Sequence, residues 1–245
     1  MRGRLVVCAD PQQLASHVAE WLLARIDERP GAVRIALSGG STPKLLFARL
    51  AGVGDRVPWD RVQLYWGDER FVPYEHPDSN YGMTRAILLD KISLPAGNVH
   101  PMPVDGSPAE AAALYERLLQ QQYGGAALDP ARPLFDVMFL GLGDDGHTAS
   151  LIPGQPVLEE RRHWVAAVEH GREEVRLTLT YPALESSRTM AFLVAGAGKA
   201  AILREVRAGG STVPAARLRP QGELIWFADR AAAGGPNEQA LDGKE

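Results

Sequence analysis

His147 closes the run Gly141-Leu142-Gly143-Asp144-Asp145-Gly146-His147, directly after the apolar stretch 135–140. Glycines shape such a loop, and two carboxylates stand within three residues of the imidazole. A histidine beside carboxylates is a general base by type, able to take a proton from water near neutral pH. The letters also fit G-x-G-x-x-G, the dinucleotide fingerprint. That reading fails on charge, because Asp144 and Asp145 would stand where a pyrophosphate must sit. Pro153 would also end any following helix early and leave little dipole to help. The plain alternative is a histidine in a flexible surface loop, which leaves the glycine pattern after a buried strand unexplained.

Two more polar clusters follow apolar runs. Ser38-Gly39-Gly40-Ser41-Thr42-Pro43 comes after 33–37 and opens a helical pattern. Ser41 or Thr42 can cap that helix with Pro43 at its first position, and unpaired N–H groups there suit a phosphate. A capped helix without ligand fits these residues equally. Gly67-Asp68-Glu69-Arg70 comes after 62–66. Arg70 can hold a phosphate or carboxylate in a fork, or the charges can form a solvated turn. Ligands of open α/β sheets bind outside the carboxyl ends of the strands, so clusters at several such ends point to one cleft. Further along, Arg172 and Arg176 can face an anion, or pair with Glu173 and Glu174 in a solvated turn. Lys199, in Gly196-Ala197-Gly198-Lys199-Ala200, is a site cation or a first-turn lysine.

Other chemistries lack their residues. No G-x-S-x-G elbow is present, and the single cysteine, Cys8, lies in the apolar run Leu5–Ala9, as a buried thiol would. Neither H-x-x-x-H nor a spaced Cys/His set exists, so no metal and no cofactor are expected. Activated water is the simplest remaining nucleophile.

The elements that must position these groups alternate. Strands are expected at 33–37, 62–66, 135–140, 190–195 and 224–227, and helices at 42–50, 81–92, 109–122 and 199–206. Such alternation predicts an α/β fold with a mostly parallel sheet covered by helices on both faces, Rossmann-like in plan. One domain is expected over 1–232 and a loose tail over 233–245, where Gly234-Gly235-Pro236 interrupts any pattern. Gly209-Gly210-Ser211-Thr212 echoes residues 39–42, but follows a helix and reads as a helix stop with a new cap. Apolar residues at 45% suit a globular protein, and a net charge of -4 argues against a nucleic-acid partner. No apolar run approaches a membrane span or a signal-peptide core, so the cytoplasm is the expected location. A monomer or weak homo-oligomer is expected.

Taken in order, these pieces resemble the 6-phosphogluconolactonases. The matching segments are Ser38–Pro43, Trp66–Pro73, Ser79-Asn80-Tyr81, Gly141–Gly154, Arg176–Thr180, Gly196–Ala200 and Trp226–Ala232. The resemblance implies a fold related to glucosamine-6-phosphate deaminases and ribose-5-phosphate isomerases. It implies hydrolysis of 6-phospho-D-glucono-1,5-lactone to 6-phosphogluconate, in the oxidative pentose phosphate pathway. It also implies roles: His147 as general base with Asp145 in its loop, Asp68 and Arg70 as site residues, and Ser38, Gly39, Gly40, Ser41 and Thr42 as the loop near the phosphate. The family pattern has a lysine before the Arg-Leu-Thr run, where this chain reads His170-Gly171-Arg172, so Arg172 stands in its place. Arg70, Arg172 and Arg176 are then the expected phosphate anchors.

Two alternatives stand beside this one. A hexosamine-6-phosphate deaminase or isomerase would share the fold, but continues past the Gly-His into a stretch carrying another carboxylate. Thr148-Ala149-Ser150-Leu151-Ile152-Pro153 carries none. A non-catalytic sugar-phosphate-binding domain would keep the loop at 38–42 without needing His147.

Overall fold

The computed structural model describes residues 3–235. In chain order its strands are β1 (Arg4–Cys8), β2 (Val33–Leu37), β3 (Val62–Trp66), β4 (Asp68–Arg70), β5 (Val99–His100), β6 (Phe135–Leu140), β7 (Val165–Val168), β8 (Arg176–Leu179), β9 (Ser187–Val194) and β10 (Glu223–Asp229). The α-helices are α1 (Pro11–Asp27), α2 (Ser41–Gly52), α3 (Asn80–Ile87), α4 (Pro108–Tyr123), α5 (Tyr181–Glu185), α6 (Ala200–Ala208) and α7 (Pro214–Arg217). Among the described residues, seven strands form a parallel sheet in the order β1-β10-β9-β6-β2-β3-β5. The central strands are buried almost end to end, which is why they read as unbroken apolar runs rather than alternating ones. Helices flank the sheet: α1 packs on α2, β1 and β10, while α4 packs against β7 and β8.

The strand order explains where a ligand can sit. From β2 the chain moves outward through β3 to β5, and from β6 it moves the other way, through β9 to β10. The order therefore reverses between the neighbours β2 and β6, and loops leaving their carboxyl ends diverge to open a crevice. Ser38 leaves β2 there, Asp68 follows β3, and the loop to His147 leaves β6.

Several elements differ from expectation. Helix α1 is absent from the elements expected above, although Asp10 caps it by accepting from Gln13 N at 2.8 Å and Pro11 occupies its first turn. Leu14, Val18 and Leu22 recur along its buried side. A second, antiparallel sheet, β4-β8-β7, takes in Asp68–Arg70, which are therefore a strand and not a turn. Helix α2 begins at Ser41, so neither Ser41 nor Thr42 is its cap. Gly40 holds that place at φ 104°, a conformation open to glycine, and no side chain caps the helix. Helix α3 stops at Ile87, with a 3-10 turn at Leu89–Lys91. Gly209 does end α6, but Val213 precedes α7 without a side-chain cap, so Ser211 caps nothing there. Ala233, the first residue of the expected tail, is buried in the core. Residues 236–245 of the expected tail lie outside the described residues.

Candidate active site

The loop after β6 is built to present one imidazole. Gly143 N donates to His147 O at 2.9 Å and Gly146 N donates to Gly143 O at 3.0 Å, folding the loop on itself. A Cβ on Gly143 would collide with the His147 ring, so only glycine allows the approach. Asp145 Oδ1 accepts from His147 N at 3.1 Å and lies 2.5 Å from His147 Nδ1. Just beyond, Ala149 adopts φ 47°, the left-handed region that a residue with a Cβ rarely visits. Its neighbours hold it there. Thr148 Oγ1 donates to Gly141 O at 2.9 Å, and Ser150 donates its N–H to Thr178 Oγ1 at 3.1 Å and its hydroxyl to Asp68 Oδ2 at 2.7 Å.

That last bond ties the His147 loop to the small sheet, where Glu69 organises the opposite wall. Its side chain is fully buried. Oε1 accepts from Arg70 N and Asn80 N, each at 2.7 Å, and Oε2 from Tyr81 N at 2.7 Å and Ser79 Oγ at 3.1 Å. Burial pushes the Glu69 carboxyl up, against the pull of the N–H groups of Tyr81, Asn80 and Arg70. All four of those groups donate, so the geometry is that of a carboxylate capping the start of α3. Asn80, thus placed, donates from Nδ2 to Asp68 O at 2.9 Å.

A cavity of about 220 Å³ lies between these walls at the switch point. Ser38, Gly39, Gly40, Ser41, Thr42, Asp68, Arg70, His147, Arg176 and Lys199 all line it, together with Asn80. Arg70 and Arg176 face each other across the β4–β8 ladder. Arg70 donates to Asp78 O at 2.7 Å and Arg176 reaches Glu174 at 3.4 Å, yet the Nε of each is buried without a partner among the described residues. Burial and the neighbouring Arg70 charge both lower Arg176 from its ordinary value. Two adjacent guanidiniums with unused N–H groups call for an anion. Ser38 Oγ is likewise buried and unpartnered, beside the uncapped start of α2. Lys199 Nζ rests on Asp144 Oδ1 at 2.6 Å, across the mouth. Asp68 is the sole carboxylate among the described lining residues.

Arg172 goes elsewhere. It is not among the described lining residues, and its Nη2 stands 2.6 Å from Asp145 Oδ2 and 3.2 Å from His147 Nδ1. Burial acts to raise the Asp145 carboxyl, but Arg172 and the His147 N–H groups hold it well below the usual carboxylate range. Glu69, Ser150, Asn80 and Thr178 were not singled out as chemistry by residue type. Their signal is burial of polar groups, which only the fold reveals. Among the described residues, no group of three His, Cys, Asp or Glu could hold a metal ion, and no helix is long and apolar enough to cross a membrane.

A family model described as glucosamine-6-phosphate isomerases/6-phosphogluconolactonase matches residues 9–226. A 6-phosphogluconolactonase of Nostoc sp. is 39% identical over 240 residues, covering 95% of this chain and 98% of its own. The crystal structure of 6-phosphogluconolactonase from Thermotoga maritima superposes with a TM-score of 0.81 at 27% identity, covering 93% of this chain and all of that one. A monomeric glucosamine-6-phosphate deaminase shares the fold, with a TM-score of 0.78 at 20% identity over 94% of this chain and 98% of its own.

Proposed function

The chain belongs to the glucosamine-6-phosphate isomerase/6-phosphogluconolactonase family, and within it we propose that it hydrolyses 6-phospho-D-glucono-1,5-lactone with His147 as the general base. The observation that carries this reading is the imidazole on the cavity wall with Nδ1 fixed on Asp145 at 2.5 Å. A carboxylate at Nδ1 leaves Nε2 to take a proton from water, as a third group orients the base in other hydrolases. The hydroxide adds to the lactone carbonyl carbon, and the ester bond to the ring oxygen breaks as that oxygen receives the proton from the imidazolium. The product is 6-phosphogluconate, the acid passed on in the oxidative pentose phosphate pathway.

Anion recognition does the positioning. Arg70 and Arg176 take the 6-phosphate, helped by the free N–H groups at the start of α2 and by Ser38 Oγ. Lys199 supplies charge to the oxyanion that develops at the carbonyl. Binding energy from the phosphate, remote from the reacting carbon, then holds the ring in register with the water. The isomerase and deaminase alternative calls for a further carboxylate in the stretch that follows the Gly-His, and Thr148-Ala149-Ser150-Leu151-Ile152-Pro153 carries none. The enzyme acts in the cytoplasm, as a monomer or weak homo-oligomer, and needs no cofactor.

The discriminating experiment supplies the purified protein with freshly generated 6-phosphogluconolactone and, separately, with glucosamine 6-phosphate. Lactone opening well above the spontaneous rate, without release of ammonia from the amino sugar, is expected. Ammonia release with no lactone acceleration would reverse the assignment.

A further inference from the structure

We infer that Arg172 is a positioning residue for the base and contributes nothing direct to phosphate binding, an inference that rests on His147 being that base. The Asp145 carboxylate has two oxygens, and each has a distinct duty. Oδ1 takes the two N–H groups of His147, and Oδ2 takes the Arg172 guanidinium at 2.6 Å. Arg172 is itself folded back on its own loop, with Nη1 donating to Gly171 O at 2.8 Å where Gly171 turns the chain at φ 89°. The carboxylate is thus engaged through both oxygens, one on the ring and one on the guanidinium.

The tautomer follows from Asp145, which Arg172 holds beside the ring. Nη2 stands 3.2 Å from His147 Nδ1, and a guanidinium has only donors. A ring with a bare Nδ1 would turn a lone pair toward Asp145 Oδ1 at 2.5 Å, which is repulsive. With Nδ1 protonated, the ring and the guanidinium become two donors sharing one carboxylate. Nε2 is then the nitrogen that keeps its lone pair for water. The charge arithmetic points the same way. Asp145 already neutralises Arg172, whereas Arg70 and Arg176 line the cavity and each keeps a buried Nε without a partner among the described residues. A phosphate therefore has little to gain from Arg172.

The test uses the variants Arg172→Met and Arg172→Lys beside the parent and His147→Ala. Three quantities are read: kcat and KM on freshly generated 6-phosphogluconolactone, calorimetric affinity for 6-phosphogluconate, and the ring-nitrogen NMR shifts of His147. Arg172→Met is expected to lower kcat about tenfold, a part of the roughly 10²–10⁴-fold a general base supplies. Product affinity should stay within about twofold, since the interaction lost is not one made to the bound ligand. The Nδ1–H signature should give way to a mixture of tautomers, and Arg172→Lys should restore most of both. An unchanged nitrogen signature in Arg172→Met, or a weakened product affinity with kcat intact, overturns the inference. Should the parent fail to open the lactone, or His147→Ala keep its rate, the reading of the site fails. The nitrogen signature would then still decide whether Arg172 sets the tautomer.

Discussion

Arg172 and Arg176 sit four residues apart and meet opposite fates. Arg172 is spent on a carboxylate that in turn holds the imidazole. Arg176 stands beside a second guanidinium across a strand pair, with its Nε unused and its charge only loosely met by Glu174. A cation paired tightly inside the protein orients its partner, and two adjacent cations met only loosely can take an anion from outside. Residue type and spacing show two arginines near two glutamates, so the difference lies in which carboxylate each meets after folding.

The sharpest break in this contrast comes from Asp145→Asn. The amide cannot serve both Arg172 and the His147 Nδ1–H, so turnover should fall on the order of 10²-fold while affinity for 6-phosphogluconate barely moves. Steady-state kinetics with calorimetry of the product check this, and equal losses in both would merge the two arginine sites into one. Arg176→Ala should give the mirror image. Losing one charge-assisted contact should weaken product binding about 10- to 100-fold, with a dependence on salt flatter than the parent's. If Arg176→Ala binds product as the parent does, the two guanidiniums serve the fold alone.

Glu69→Gln addresses what keeps Arg70 in place. An amide would set an N–H donor against the backbone donors of α3, costing about 1–3 kcal/mol of stability. Urea unfolding measures it, and an unperturbed midpoint would mean that the buried carboxylate is not the cap inferred here. The smallest effect is a pH dependence. Asp145 is held below its ordinary value, so its contribution to stability is present above about pH 3.9 and lost as pH falls toward its folded value. The parent should therefore lose more of its urea midpoint than Asp145→Asn between neutral pH and pH 3. A parallel decline in the two proteins would show the Arg172–Asp145 pair to be silent in stability.

The parts that were legible in the residues share one physical origin. Strands 33–37, 62–66 and 135–140 have the expected bounds because they are buried on both faces, and burial writes itself as an apolar run. The loops at their carboxyl ends announce themselves by glycine, so the positions of Ser38, Asp68 and His147 around one cavity follow from topology. The small sheet was not legible. Asp68, Glu69 and Arg70 carry no strand pattern, and they form a strand only because Arg176–Leu179, more than a hundred residues later, supplies the partner. Glu69 looks like a surface charge until α3 closes over it. The destination of Arg172 was hidden for the same reason, since its carboxylate lies 27 residues back on another loop.

The proposed chemistry depends on His147 more than on any arginine, and its most direct measurement is the rate of 6-phosphogluconate formation by the parent and by His147→Ala. Lactone is generated in place and spontaneous opening is subtracted. His147→Ala is expected to fold and to turn over roughly 10²–10⁴-fold more slowly, with product affinity close to the parent's. A folded His147→Ala protein that retains most of the parent's turnover would contradict it, and would leave Asp68 as the one carboxylate on the described cavity wall able to act as base.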